Sequence, residues 1–217
     1  MNKLVKALIP VLAVILVSLP SRGQEMGTQS KIPAETAQAA TRSLENFRRL
    51  VDAQNYRELG FDSPDQAAAA SLGQPLKVYL VKLDQLRDYK AGADPEALLS
   101  DINQVYYPIT VGGQARSGIV LELKNGEWKG VSFGNSGLAR KLAELRQAAA
   151  PGGAQLLVEL PVLGLDFLGQ RGADNKLTLT SLSAAPEYKI EAGTAISADQ
   201  AFTTLAPFAR DYNGLPM

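Results

Sequence analysis

The segment VYYPITVGGQARSGIVLELKNGEWKGVSF (residues 105–133) decides the fold. Val105 to Val111 is rich in β-branched and aromatic residues, which suit a pleated strand. Gly112-Gly113 is a tight turn, and Ala115 to Lys124 is a second strand. Asn125-Gly126 follows, a pair that tolerates positive φ at both positions and is the strongest short-range hairpin signal. Glu127 to Phe133 then returns as a third strand, completing an antiparallel meander.

Helical patterns flank this centre. Pro33 opens one in which Leu44, Phe47, Leu50 and Val51 share a face, with Arg42, Glu45, Arg48 and Arg49 elsewhere. Asp62-Ser63-Pro64 starts a short helix through the alanines at 67–70, and Gly73 stops it. Residues 76–83 alternate as a strand, and Asp94-Pro95-Glu96 opens another short helix with Leu98, Leu99 and Ile102 inward. After the meander a helix is expected over 139–149, with Leu138, Leu142 and Leu145 on one face and Ser136 or Asn135 as its cap. Strands follow at 155–160, 163–168 and 176–182. A capping box at Ser197 to Gln200 then starts a last helix, which Pro207 should kink or shorten. The expected class is α+β, an antiparallel sheet built on the central meander 105–133 and packed by helices on one face. One domain spans 34–217, with Pro151 to Gly153 as its one candidate sub-boundary.

The N-terminus carries an address. Lys3 and Lys6 precede an apolar run from Ala7 to Pro20, and Ser21-Arg22-Gly23 offers small residues for a cut after Gly23. That is the layout of a secretory signal peptide over 1–23, its apolar run shorter than the ~20 residues a membrane span needs. Residues 24–33 read as a flexible linker. The expected location is periplasmic or secreted, in a bacterium, with membrane attachment only through an uncleaved signal. Beyond Gly23 the chain has 19 basic and 22 acidic residues, with no basic cluster for a nucleic acid.

The composition excludes several chemistries. Histidine and cysteine are both absent. Ser-His-Asp and Cys-His mechanisms, thiolate metal sites and disulfides therefore all fall away. No serine has a lysine three residues on, so the usual Ser-Lys pattern is missing as well. The expectation leans away from an enzyme, and no cofactor or metal is expected. The acid groupings Asp62 with Asp65 and Asp94 with Glu96 open helices, where carboxylates complement the helix dipole.

Two binding features stand out. Tyr106 and Tyr107 alternate across the sheet, so one of them next to Trp128 would suit a peptide or protein partner if it were exposed; core packing is the stronger expectation for both. Asn135, Ser136 and Gly137 lie at a strand-to-helix turn whose free N–H groups suit an anion, set against a plain helix cap. The basic residues Arg42, Arg48 and Arg49 are expected on the solvated face of the first helix.

Residues 107–134, from Tyr107-Pro108 through Gly112-Gly113 and Asn125-Gly126-Glu127-Trp128 to Gly134, resemble the hairpin of secreted bacterial PepSY and peptidase-propeptide domains. They also resemble a set of exported bacterial proteins of unknown function that share this block. The resemblance implies a non-catalytic module that packs against another protein, here in trans. The expected function is thus an exported binding module for a protein or peptide in the envelope, with strand addition to an edge of the meander as its mode. The alternative is an envelope hydrolase working through carboxylates or a Ser/Lys pair.

Overall fold

A computed structural model describes residues 32–149 and 152–213. The proposed signal peptide and most of the linker lie outside the described residues. The helices are α1 (Glu35–Leu50), α2 (Asp65–Ala68), α3 (Leu83–Arg87), α4 (Ser136–Ala148) and α5 (Ala198–Asp211). The strands are β1 (Ser71–Leu72), β2 (Leu76–Val81), β3 (Leu99–Val111), β4 (Gln114–Lys124), β5 (Glu127–Gly134), β6 (Gln155–Leu160), β7 (Leu165–Arg171), β8 (Leu177–Ser181) and β9 (Ala195–Ser197). Among the described residues they form one sheet in the order β5-β4-β3-β2-β6-β7-β8-β9, with β1 paired to β3.

The meander is present as β3-β4-β5, joined at Gly112-Gly113 and at Asn125-Gly126, where all four turn residues have positive φ. A second antiparallel run, β6 to β9, extends the sheet on the far side. The two runs meet where β2 pairs with β6, the one parallel pairing among the named strands. The sheet is therefore continuous past Pro151 to Gly153. Each run closes with a helix, α4 after β5 and α5 after β9.

Alternation along the strands sorts these helices onto two faces. Leu156 and Val158 pack with α5, and Val105, Tyr107, Ile119 and Leu121 pack with α1. The intervening Leu157, Tyr106 and Val120 face α4 through Leu142, Leu138 and Leu145. So α1 and α5 cover one face, as expected of the helices, and α4 adds cover on the other.

Local expectations differ from the structure at several points; Leu163, for one, lies in a 3₁₀ turn ahead of β7 instead of in the strand. Leu99 and Ile102 belong to β3, not to a helix; the Asp94 turn is a 3₁₀ turn of four residues, Pro95–Leu98, capped by the Asp94 carboxylate. Leu83 starts α3 instead of ending β2. Leu50 is exposed rather than packed. Pro207 does not shorten α5, which runs on to Asp211. The carbonyl deprived of a donor is that of Thr203, which is exposed and can turn to water, while Phe202, Leu205, Ala206 and Ala209 bury the opposite side.

Candidate functional site

Strand β5 is an edge of the sheet, and α1 lies alongside it. Between them is a groove of about 750 Å³ lined by Glu35, Gln38, Ala39, Arg42, Ser43 and Asn46 of α1 and by residues 126–130 and Phe133 of the hairpin. The lining from α1 follows helical spacing. Glu35, Gln38, Arg42 and Asn46 form an exposed polar stripe, while Ala39, Ser43 and Phe47 turn inward.

Close approach of helix and strand depends on Gly130. A Cβ there would lie 2.6 Å from Ser43 Oγ and 3.1 Å from Ser43 Cβ. One turn further on, Phe47 stacks on Phe133 at 5.8 Å and meets Phe61 at 5.7 Å. Helix and strand therefore advance in the same direction. Four helical residues rise about 6 Å and two strand residues about 6.6 Å, so with Ser43 opposite Gly130, Ala39 stands level with Trp128. Trp128, the single tryptophan, is half-buried against the α1 core and lines the groove.

The backbone of this edge has a defined polarity. In a two-residue Asn-Gly hairpin, Lys124 and Glu127 form the first hydrogen-bonded pair, and Glu122 with Lys129 the next. Trp128 and Gly130 sit in the alternate pairs, so their N–H and C=O groups point away from β4 along the free edge. Val131 is the extra residue of a bulge, since Gly130 pairs with Leu121 and Ser132 with Val120. Glu127 and Lys129 form an ion pair at 3.0 Å. That hydrogen bond to Lys129, helped by the charges of Lys129 and Arg42, holds the Glu127 carboxyl below its usual range.

The residues expected to bind separate into distinct environments. Tyr106 and Tyr107 are only 1 % and 5 % exposed, so neither presents a surface beside Trp128. Tyr107 Oη lies 2.8 Å from Thr36 Oγ1, fixing the start of α1, and Tyr106 packs its ring against Gly118, where a Cβ would come within 2.4 Å. The cap of α4 is Asn135, whose side-chain oxygen accepts from Leu138 N at 3.0 Å; Ser136 is the first helical residue and Gly137 is exposed. Only Trp128 of the expected set belongs to the groove. Its α1 wall carried no linear signal beyond a polar stripe, because the groove exists only once the helix docks on the edge strand. Arg48 also departs from expectation: it is half-buried and donates to Ala70 O.

Groups relevant to hydrolysis lie elsewhere. Glu159 and Asp166 pair across β6 and β7, and burial raises both carboxyls, that of Glu159 further through the charge of Asp166. They are half-buried on the sheet and do not line the groove. Lys141 Nζ donates to Ser183 Oγ at 3.0 Å between exposed groups. Asp62 pairs with Arg116 at 3.0 Å, and Glu96 with Arg171 at 2.7 Å. Among the described residues no three acids gather as metal ligands, and no helix is long and apolar enough to cross a membrane. Comparison with family models, with curated proteins and with solved structures finds no match.

Proposed function

We propose that this chain is an exported, non-catalytic interaction module that takes up an extended protein segment by strand addition to β5, in the groove against α1. The observation that carries this reading is the free edge itself. Trp128 and Gly130 offer outward backbone groups, a half-buried indole lies beside them, and a helix wall stands over the added strand. Main-chain pairing supplies affinity in this mode, and the pockets for alternate side chains supply selectivity. The hydrolase alternative has less support, because Glu159 and Asp166 lie outside the groove and the Lys141–Ser183 contact is exposed.

The single tryptophan makes the test direct. Extended peptides titrated against the protein should shift Trp128 emission to the blue as the indole loses water. The shift should vanish for a peptide N-methylated on the pairing edge. Emission that no peptide alters, with groove variants equally silent in pull-downs, would sink the reading.

A further inference from the structure

The groove is self-complementary in charge, and we propose that its partner is a second copy of this chain, paired β5 to β5 about a two-fold axis through Trp128. This rests on the reading of the groove as a strand-addition site and names its occupant.

Two independent patterns carry the inference. On β5 the order is Glu127-Trp128-Lys129, acid, centre, base. An antiparallel two-fold at Trp128 places Glu127 of each copy across from Lys129 of the other, and Trp128 across from Trp128. On α1 the groove wall repeats the order, with Glu35 before Ala39 and Arg42 after it. Ala39 is level with Trp128, so the same axis sets Glu35 of each copy toward Arg42 of the other. Any other register loses this match; an axis at Lys129, for example, would set two lysines directly opposite each other.

The backbone agrees. Trp128 carries outward N–H and C=O groups, so a Trp128–Trp128 pair on the axis is a hydrogen-bonded one, with both bonds exchanged between copies. Gly130 falls opposite Gly126, and the bulge at Val131 ends the ladder there. A lone edge lysine opposes strand pairing, and here Glu127 converts Lys129 from a blocker into half of a complementary set.

The test is sedimentation velocity on the expressed full chain across a dilution series. A monomer–dimer equilibrium is expected, and Lys129→Glu should weaken it by at least about tenfold in Kd. Glu127→Lys combined with Lys129→Glu restores the complement and should return Kd to within about threefold. Circular dichroism checks that the exposed substitutions leave the fold intact. The chain has no cysteine, so Trp128→Cys gives an independent readout. A hydrogen-bonded antiparallel pair sets its Cα atoms about 5.5 Å apart, within disulfide range, so this variant should oxidise to a covalent dimer. A monomer at every concentration, or a dimer indifferent to the charge swap, overturns the proposal. If peptides still shift Trp128 emission in that case, the strand-addition reading stands and only the second copy falls. Silence in both assays rejects both.

Discussion

Arg171 on β7 and Glu96 in the turn before β3 form a side-on bidentate ion pair, with Nε to Oε1 at 2.8 Å and Nη2 to Oε2 at 2.7 Å. Arg171 is 9 % exposed, so the guanidinium is held in the β6–β9 half of the molecule by a carboxylate from the segment leading into the meander. Hydrogen bonding to Glu96 raises the Arg171 pKa further, against burial. Glu96→Ala leaves a buried cation without its carboxylate, with only Tyr79 still bonded to it, and a loss of about 2–3 kcal/mol is expected. Replacing both residues by apolar ones of similar volume should cost less than Glu96→Ala alone. Urea unfolding of the two variants checks the order, and equal losses would refute it.

Gly130→Ala tests how tightly α1 is seated on β5. The added methyl meets Ser43 Oγ first, so overpacking of about 1–3 kcal/mol is expected. Ser43→Ala in the same chain removes the nearest atom and should recover part of that loss. A double-mutant cycle measures the coupling, and an additive pair would show that the helix shifts freely.

Tyr106 carries a hydroxyl that is buried, without a hydrogen-bond partner among the described residues, and burial raises its pKa. A phenol that loses water and gains nothing in return disfavours the folded state. Tyr106→Phe keeps the ring packed on Gly118 and should leave stability unchanged or raise it by up to about 1 kcal/mol. Tyr107→Phe should do the opposite, because Tyr107 Oη is bonded to Thr36. Thermal melts of the two variants should therefore move apart, and a drop for Tyr106→Phe would point to a hidden partner.

What could be read along the chain and what could not divide by distance in sequence. The meander was legible because its two turns are local: Gly112-Gly113 and Asn125-Gly126 accept positive φ whatever surrounds them. The start of β3 was not, because Asn103 at φ 54° interrupts the alternation and the pairing with β2 shifts there. The parallel pairing of β2 with β6 joins segments about eighty residues apart and leaves no mark on either. Trp128 was legible as a candidate from its residue type, whereas Glu35, Gln38 and Arg42 became site residues only through docking of α1. Both tyrosines were expected chiefly as core, and their exposure on either face is prevented because α1 and α4 cover the two sides of β3.

The Glu159–Asp166 pair gives a pH dependence of defined sign. Burial lifts both carboxyls above their unfolded values, so the folded chain holds these protons to higher pH than the unfolded chain does. The stability they contribute is complete below the unfolded carboxylate range and is lost as pH rises through the folded values. Glu159→Gln removes one of the two charges and relieves Asp166. Both groups are partly open to solvent, which screens the effect, so a Tm gain of only about 1–3 °C is expected at neutral pH. The gain should shrink on acidification, as the wild-type carboxyls take up protons themselves. Melts of wild type and variant across pH 4 to 8 check this, and a gain that grows on acidification would contradict the assignment.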